Sequence, residues 1–260
     1  MAHKARKRFG QNFLIDQQVI SSIIDTIHPQ PDDRMVEIGP GLGALTKSLL
    51  QTLNHLIAIE LDRDIVEKLR KDFSQEKLTV YSIDALKFDF AILGSSLRII
   101  GNLPYNISTP LLFYLSQFSE SILDMHFMLQ KEVVERMVAK PSTSDYGRLS
   151  VMLQYRFEME QIFNVSAESF HPAPKVESAI VYMQPIQKKS LIATDETLLS
   201  KLVAAAFSQR RKTLRNTLAT FLTKKDFTYL EIDPGLRAEN ISVEQYISIA
   251  NYLAESAQSN

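Results

Sequence analysis

The segment Met35-Val-Glu-Ile-Gly-Pro-Gly-Leu-Gly43 holds three of the chain's eight glycines directly after a short apolar run. Residues 35–38 have the length and composition of a buried strand, and the apolar positions within 45–53 have the spacing of a helix. Glycine allows backbone conformations and close approaches that a Cβ atom would block. A strand, a glycine-rich loop and a helix in this order predict the start of a parallel sheet, with a nucleotide-like cofactor at the loop.

Short apolar runs and longer amphipathic segments alternate on both sides of this loop. Such alternation predicts βαβ units and a mainly parallel sheet covered by helices on both faces. Before the loop, Asp16 can cap a helix whose last apolar position is Ile27. Beyond it, strands are predicted at 56–59, 78–83, 97–100, 125–129, 149–157 and 179–183, the last two as an antiparallel pair. Helices are predicted at 64–73, 108–117 and 132–139.

The pattern changes near Asp195, after which no strand is predicted. Helical spacing at 198–207, 212–221 and 243–253 indicates a small helical domain. We therefore expect an α/β domain with a seven-stranded sheet over residues 1–186 and a helical domain over residues 187–260.

The composition of the 260 residues limits the class of protein. Hydrophobic residues make up 45% of the chain, which is ample for a core. The absence of cysteine excludes a disulfide scaffold, thiolate zinc sites and a cysteine nucleophile, and it suits a cytoplasmic location. No apolar run is long enough to span a membrane, and the basic N-terminus lacks the apolar stretch of a secretory signal. The five histidines are scattered, so we expect no metal site, and a monomer is the default expectation.

The formal net charge of −1 hides a separation of charge along the chain. Residues 1–15 carry four basic side chains and residues 197–225 carry seven, neither with an acid, so the remainder has a net charge of −12. A solvated surface usually mixes both signs, so this separation favours binding to a polyanion. The candidate contacts to nucleic-acid phosphates are four side chains of the second stretch: Arg210, Arg211, Lys212 and Arg215.

Two carboxylates follow strands of the predicted sheet. Glu60 ends the second strand, where an acid can bind both ribose hydroxyls of an adenosine in enzymes that use NAD or S-adenosylmethionine. Asp84 ends the third strand, where a carboxylate can accept the amino group of adenine, a placement more typical of methyl transfer than of hydride transfer. The alternatives are a solvated carboxylate for Glu60 and a helix N-cap for Asp84.

The stretch Asn102-Leu-Pro-Tyr105, after the fourth predicted strand, indicates chemistry on an adenine amine. That nitrogen is a poor nucleophile because its lone pair is delocalised into the ring. The Asn102 side-chain oxygen and a backbone carbonyl from the next residues can accept its two N–H groups, which directs the lone pair toward a methyl sulfonium. Pro104 keeps Leu103 extended, and Tyr105 supplies a flat stacking face. The alternative is a β-turn rich in Asn and Pro.

Together these motifs resemble the ribosomal RNA adenine dimethyltransferase family, most closely its bacterial small-subunit members. The segments that carry the resemblance span nearly the whole chain: 8–14, 39–43, Glu60, Asp84, 102–105, 170–178, 207–218 and 237–242. The resemblance implies a Rossmann-like class I methyltransferase that dimethylates N6 of two adjacent adenosines near the 3′ end of 16S ribosomal RNA. These adenosines lie in a hairpin loop, where partly unstacked bases reach a pocket at less cost than in a duplex.

The resemblance also implies roles for single residues. Asn12 and Leu14 match a segment that closes over S-adenosyl-L-methionine, and Phe170 matches an aromatic that stacks on the flipped adenine. Without the resemblance, Phe170 would be interpreted as a core aromatic. The target-adenine site corresponds to Asn102, Leu103, Pro104 and Tyr105. The other cofactor positions are Gly39, Glu60, Asp84 and again Asn102, with Gly41 and Ala85 as neighbours.

Three other functions compete with this interpretation. A large-subunit methyltransferase of the resistance type shares the 102–105 motif, but the Arg-rich stretch and the 237–242 segment favour the small subunit. A non-catalytic assembly or transcription factor on the same fold would not require the intact 102–105 and 39–43 motifs. A nicotinamide dehydrogenase would explain the glycine loop and Glu60 but not Asn102.

Overall fold

The computed structural model describes residues 11–105, 107–186 and 192–258. The basic side chains expected to bind a polyanion between Lys4 and Arg8 lie outside these ranges. The strands are β1 Phe13–Leu14, β2 Met35–Ile38, β3 Leu56–Glu60, β4 Leu78–Ser82, β5 Leu97–Asn102, β6 Ile122–Gln130, β7 Phe157–Val165, β8 Phe170–His171 and β9 Ser178–Pro185. The helices are α1 Gln17–Ile27, α2 Ala44–Leu49, α3 Arg63–Asp72, α4 Ser108–Leu115, α5 Lys131–Val138, α6 Arg148–Gln154, α7 Glu196–Ala206, α8 Leu214–Thr217, α9 Lys224–Tyr229 and α10 Val243–Gln258.

Seven strands form one sheet in the order β4-β3-β2-β5-β6-β9-β7. The pairs from β4 to β6 are all parallel, and β9 runs antiparallel to β6. The order reverses at β2, which lies between β3 and β5. In open α/β sheets, the crevice at such a reversal, outside the carboxyl ends of the strands, is where ligands bind. The predicted mainly parallel seven-stranded sheet is confirmed.

The central strands are buried on both faces, which is why they read as continuous apolar runs. All four residues of β2 are buried, and β3 leaves only Ile57 partly exposed. Helix α1 begins where predicted, because the Asp16 carboxylate accepts hydrogen bonds from the backbone N–H groups of Gln18 and Val19. Its inward face, including Ile20 and Ile23, joins the core cluster of the sheet domain.

The contacts among the described residues divide the chain into two compact units. One unit lies within Met1–Val134 and Glu158–Pro185, and the other lies within Glu135–Phe157 and Ile186–Asn260. The second unit has its own core of buried side chains, which includes Val151 on α6, Leu202 on α7 and Tyr246 on α10. No helix in the described ranges is both long and apolar enough to cross a bilayer.

The strand predicted at 149–157 is wrong. Residues Arg148–Gln154 form α6, whose N-terminal turn is closed by a hydrogen bond from the Gly147 N–H to the Ser150 Oγ. Leu, Met, Gln and Arg all favour helix, and Val151 is the only β-branched residue in the segment. The seventh strand is instead β7, Phe157–Val165, where apolar and acidic residues alternate over its first half.

The helix predicted at 212–221 is shorter in the structure. Thr213 pairs with Arg237 in an isolated antiparallel bridge, and the Leu214 N–H donates to the Leu236 carbonyl at 2.8 Å. The extended backbone of Thr213, with φ −77° and ψ 160°, makes it the N-cap, so α8 begins at Leu214 and covers only Leu214–Thr217.

Candidate active site

A cavity of about 340 Å³ lies at the carboxyl ends of the central strands. It is lined mainly by apolar side chains with a few polar groups between them, as ligand pockets are. Eleven of the residues singled out in the sequence line it: Asn12, Leu14, Gly39, Gly41, Glu60, Asp84, Ala85, Asn102, Leu103, Pro104 and Tyr105. Four different connections after strands, together with the segment before α1, therefore meet at one point.

The glycine loop after β2 depends on backbone angles that other residues rarely adopt. Gly39, Gly41 and Gly43 have φ values of 67°, 54° and 84°, in the left-handed region that favours glycine. A Cβ atom on Gly41 would lie 3.1 Å from the Phe13 ring, and the Gly39 N–H donates to the Ile59 carbonyl at 2.9 Å. The loop thus lines the cavity with backbone that has no side chain at Gly39 and Gly41, and the Gly39–Ile59 hydrogen bond ties it to β3.

Glu60 is the last residue of β3 and is almost fully buried. Its Oε1 accepts the backbone N–H groups of Leu61 and Asp62, both at 2.8 Å. Burial raises the pKa of Glu60, and backbone hydrogen bonds from Asp62, Leu61 and Gly41 oppose that rise. The Glu60 carboxylate thus joins the end of β3 to the glycine loop at the cavity wall.

Asp84 follows β4 and begins a short 3-10 turn. Its Oδ1 accepts the N–H of Leu86 at 3.0 Å, so the N-cap expected as an alternative is formed. The same carboxyl group lines the cavity next to the buried Ala85. Capping fixes the orientation of Asp84 with one oxygen, which is compatible with ligand binding through the other.

Asn102 ends β5 and contacts the segment before α1 directly. Its Nδ2 donates to the backbone carbonyl of Asn12 at 3.0 Å. Because the nitrogen makes this bond, the side-chain oxygen is the atom that can accept from a ligand. Gln11, in the same segment, donates from Nε2 to Asp62 at 3.2 Å.

A two-stranded antiparallel sheet holds the 11–14 segment in place. In it, β1 pairs with β8, Phe13 opposite His171 and Leu14 opposite Phe170. The Ile15 N–H also donates to the Ser169 carbonyl at 2.9 Å. No sequence periodicity marks strands of two residues, so sequence analysis missed this pairing.

Phe170 does not line the cavity. Its side chain is 3% exposed and belongs to the core cluster that also contains Leu14. Of the residues expected to contact the target base, the structure brings Asn102, Leu103, Pro104 and Tyr105 together at the cavity and places Phe170 in the core beside β1.

Sequence analysis also missed Glu37, a cavity-lining carboxyl group in the middle of β2. Glu37 is 1% exposed, and its Oε2 accepts a hydrogen bond from the Thr46 hydroxyl at 2.6 Å. Burial raises the pKa of Glu37 to about 7, against the lowering effect of the Thr46 bond. The signal in the sequence was a single acid inside an apolar strand that leads into a glycine loop.

The four basic candidates of the second unit are all exposed: Arg210, Arg211, Lys212 and Arg215. Arg210 donates to the Ser144 carbonyl, and none of the four forms an ion pair within the described part of the chain. Within residues 11–105, 107–186 and 192–258, no cluster of three His, Asp or Glu side chains could hold a metal ion.

Comparisons with known proteins agree over nearly the whole chain. A family model described as ribosomal RNA adenine dimethylase matches residues 2–255. Proteins named ribosomal RNA small subunit methyltransferase A are 63% identical in Nitrosospira multiformis, over 97% of both chains, and 63% identical in Nitrosomonas europaea, over 99% of this chain and 100% of the relative.

Among solved structures, a dimethyladenosine transferase from Plasmodium falciparum is similar with a TM-score of 0.83 and 25% identity, covering 94% of this chain and 98% of that one. The 23S rRNA methyltransferase ErmE has a TM-score of 0.72 and 24% identity over 94% of this chain and 100% of its own, a likeness of fold.

Proposed function

The chain belongs to the ribosomal RNA adenine dimethylase family, and we propose that it dimethylates N6 of two adjacent adenosines in the 3′-terminal hairpin loop of 16S ribosomal RNA. The methyl donor is S-adenosyl-L-methionine, and the reaction belongs to small-subunit biogenesis in the cytoplasm. Full-length relatives named for the small subunit, at 63% identity, support the choice of substrate.

The observation that carries the proposal is the position of Asn102. Its side chain ends β5 at the same cavity as the glycine loop and Glu60. Its amide nitrogen is engaged with the Asn12 carbonyl, which leaves the oxygen to accept an N–H of the adenine amine. A backbone carbonyl from the residues that follow accepts the other N–H. Positioning then accounts for most of the catalysis, and no strong base is needed.

The cavity fits the cofactor through its backbone and its two acids. Gly39 and Gly41 present backbone without side chains, Glu60 has an oxygen for ribose hydroxyls, and Asp84 has one for the adenine amino group. Asn12, Leu14 and Ala85 would complete the contacts. When bound, S-adenosyl-L-methionine supplies an electrophilic methyl group on a sulfonium. The buried carboxyl group of Glu37, whose hydrogen-bond donor is the neutral Thr46 hydroxyl, suits a ligand that carries positive charge.

The target adenine would stack on Tyr105, with Leu103 and Pro104 forming the edge of the turn. We also propose that Phe170 stacks on the target adenine, although its ring must first become accessible. Phe170 is 3% exposed and pairs with Leu14 of β1, so its ring can meet a base only if this buried segment moves when RNA enters.

The helical unit would bind RNA through four exposed basic side chains, called the exposed basic group below. Arg210, Arg211, Lys212 and Arg215 form no ion pair within the described residues, so they are available to phosphates. We propose residues 1–186 as the methyltransferase domain and residues 187–260 as the RNA-binding domain. Residues 135–157 belong to the same compact unit as the RNA-binding domain, so we add them to it.

The decisive experiment is transfer of radiolabelled methyl groups to a mixture of small and large ribosomal subunits that lack these modifications, followed by mapping of the labelled nucleotides. Label in N6,N6-dimethyladenosine at two adjacent positions of the 16S hairpin loop is expected. Label that enters only large-subunit RNA would replace this function with the large-subunit alternative.

The Asn102→Ala variant tests the mechanism in the same assay. We expect its turnover to fall about 10²- to 10³-fold, the usual cost of removing a group that stabilises a transition state. Asn54→Ala, an exposed asparagine that donates to Asp32, is the matched control and should retain wild-type turnover. Wild-type turnover by Asn102→Ala would remove Asn102 from the reaction.

A further inference from the structure

Tyr229 is the most exposed large hydrophobic side chain in the described part of the chain, at 74%. It is the last residue of α9, a helix anchored from its other face by Phe227, which is 3% exposed in the core of the helical unit. Residues two apart point to opposite sides of a helix. The sequence therefore buries one aromatic ring to fix α9 and presents another to solvent.

The exposed ring is held in place by a second tyrosine. Tyr229 and Tyr252 have ring centroids 5.1 Å apart and an interplanar angle of 31°, and the Tyr252 hydroxyl donates to Asp226 Oδ1 at 2.6 Å. Asp226 Oδ2 in turn accepts the Thr223 N–H at the start of α9. Because Tyr252 is fixed by α9 itself, Tyr229 rests on an ordered support, and ordering it further on binding costs little entropy.

Two lysines precede Tyr229 on α9, and the exposed acid Glu231 follows it. Lys225 lies four residues earlier on α9, so the two side chains share one face of the helix. Lys224 and Lys225 are exposed and form no ion pair within the described residues, and they end the acid-free stretch 197–225. The Asp226 carboxylate is already engaged by Tyr252 and Thr223.

We propose that Tyr229 and Lys225 form a stacking site for an unpaired base of ribosomal RNA other than the methylated adenine. An isolated flat ring next to lysines fits a nucleotide, which offers a π-face and a phosphate, since base–aromatic stacking tolerates any base. A protein-docking patch would need several exposed apolar neighbours, and the exposed residues within four positions of Tyr229 are instead polar or charged, among them Lys225, Thr228 and Glu231. The inference rests on the proposed function for its partner, RNA.

The first test is the affinity for unmodified small subunits at fixed salt. Tyr229→Ala should weaken binding by about five- to one-hundred-fold, whereas Tyr229→Phe, which keeps the ring, should bind like the wild type. Ile92→Ala removes another exposed hydrophobic, 64% exposed on the sheet unit, and should have no effect. Lys225→Gln should flatten the dependence of log affinity on log salt by about 0.7 to 0.9. Unchanged affinity in Tyr229→Ala would overturn the proposal.

The second test reports on stacking itself. The chain has no tryptophan, so Tyr229→Trp introduces a single tryptophan, whose selectively excited emission should be quenched by a short single-stranded oligoadenylate. Ile92→Trp should not be quenched. If Tyr229→Ala binds subunits weakly but Tyr229→Trp is not quenched, the side chain contacts protein and the base-stacking site is wrong.

Different measurements would reject the proposed methyltransferase function and the proposed stacking site. Methyl transfer at saturating subunit concentration should be equal in Tyr229→Ala and the wild type, because Tyr229 is not part of the cavity. A wild-type protein without methyl transfer would reject the proposed function, while full activity with no effect of Tyr229→Ala on binding would reject only the stacking site.

Discussion

The phenolic oxygen of Tyr105 lies 2.9 Å from the hydroxyl oxygen of Ser178. Tyr105 belongs to the turn after β5, and Ser178 is the first residue of β9, which lies two strands away from β5 in the sheet. Ser178 is 1% exposed. Burial raises the pKa of Tyr105, while the Ser178 hydrogen bond lowers it. A buried hydroxyl on a rigid strand therefore sets the orientation of the ring that faces the cavity.

This contact predicts that Tyr105 and Ser178 act as one unit. Tyr105→Ala should lower turnover about ten- to one-hundred-fold by removing a stacking face. Tyr105→Phe and Ser178→Ala each lose only the hydrogen bond, worth about 1 kcal/mol, and should each reduce turnover several-fold. The Tyr105→Phe/Ser178→Ala double variant should be no slower than either single variant in single-turnover assays. Losses that multiply in the double variant would show that the two hydroxyls act independently.

Gly101 gives a second prediction, because the end of β2 leaves no room for a side chain at this position. A Cβ atom at Gly101 would lie 2.6 Å from the Ile38 carbonyl oxygen and 2.9 Å from Leu103 Cδ2. Gly101→Ala should therefore separate the two strand ends that carry the glycine loop and Asn102, costing about 1 to 3 kcal/mol in the free energy of unfolding. Turnover should fall by more than the unfolded fraction of the variant accounts for, because the strand end that carries Asn102 is displaced.

Gly147→Ala is the matched control. A Cβ atom there would meet only the Asp145 carbonyl oxygen, at 4.0 Å, and the φ of −156° suits any residue. Urea unfolding and turnover should both stay close to wild type for this variant. Equal stability of Gly101→Ala and Gly147→Ala would show that β2 and β5 can part at no cost.

The sequence predicts the central sheet well because its strands are short apolar runs between turn signals. Parallel strands buried on both faces have this pattern, and β2, β3, β4 and β5 all lie close to their predicted positions. The strand predicted at 149–157 is wrong because an apolar run of that length fits a helix or a strand equally well. Its true state depends on packing in the second unit, where Val151 and Leu153 are buried.

The residues of the candidate site divide in the same way. Those at strand ends are visible in the sequence, since the carboxyl ends of parallel strands meet at one edge. The burial of Phe170 and the pairing of β1 with β8 depend on contacts between segments some 150 residues apart, such as the Asp16–Ser169 hydrogen bond. No local pattern encodes such contacts. Glu37 could have been noticed as the one charged residue in an otherwise apolar strand.

Glu37 predicts a specific pH dependence of stability. Its pKa is raised from 4.5 to about 7 in the folded protein, so between these values the folded state binds a proton that the unfolded state releases. The contribution of Glu37 to the free energy of unfolding therefore falls as the pH rises through this window. Glu37→Gln removes the effect and should gain about 2 to 3 kcal/mol relative to the wild type between pH 5 and pH 8.

Urea unfolding of both proteins at several pH values measures this difference. Glu76→Gln, at an exposed position whose side chain makes no such buried contact, should run parallel to the wild type. A constant difference between Glu37→Gln and the wild type across the range would mean that Glu37 is not protonated near neutral pH.

The exposed basic group gives the last prediction, because it tests whether the helical unit holds RNA through charge. Replacing Arg210, Arg211 and Lys212 together by Gln should weaken binding to small subunits and flatten the slope of log affinity against log salt by about 2, since each phosphate contact contributes about 0.7 to 0.9. The control triple variant replaces Lys68, Lys71 and Lys77, which lie on α3 and before β4, and changes the net charge equally. If both variants flatten the slope to the same extent, net charge alone attracts the RNA. If only the first does, the acid-free stretch contacts phosphates directly, and the overall charge of −1 is irrelevant to that contact because ions screen charges more than about 10 Å apart.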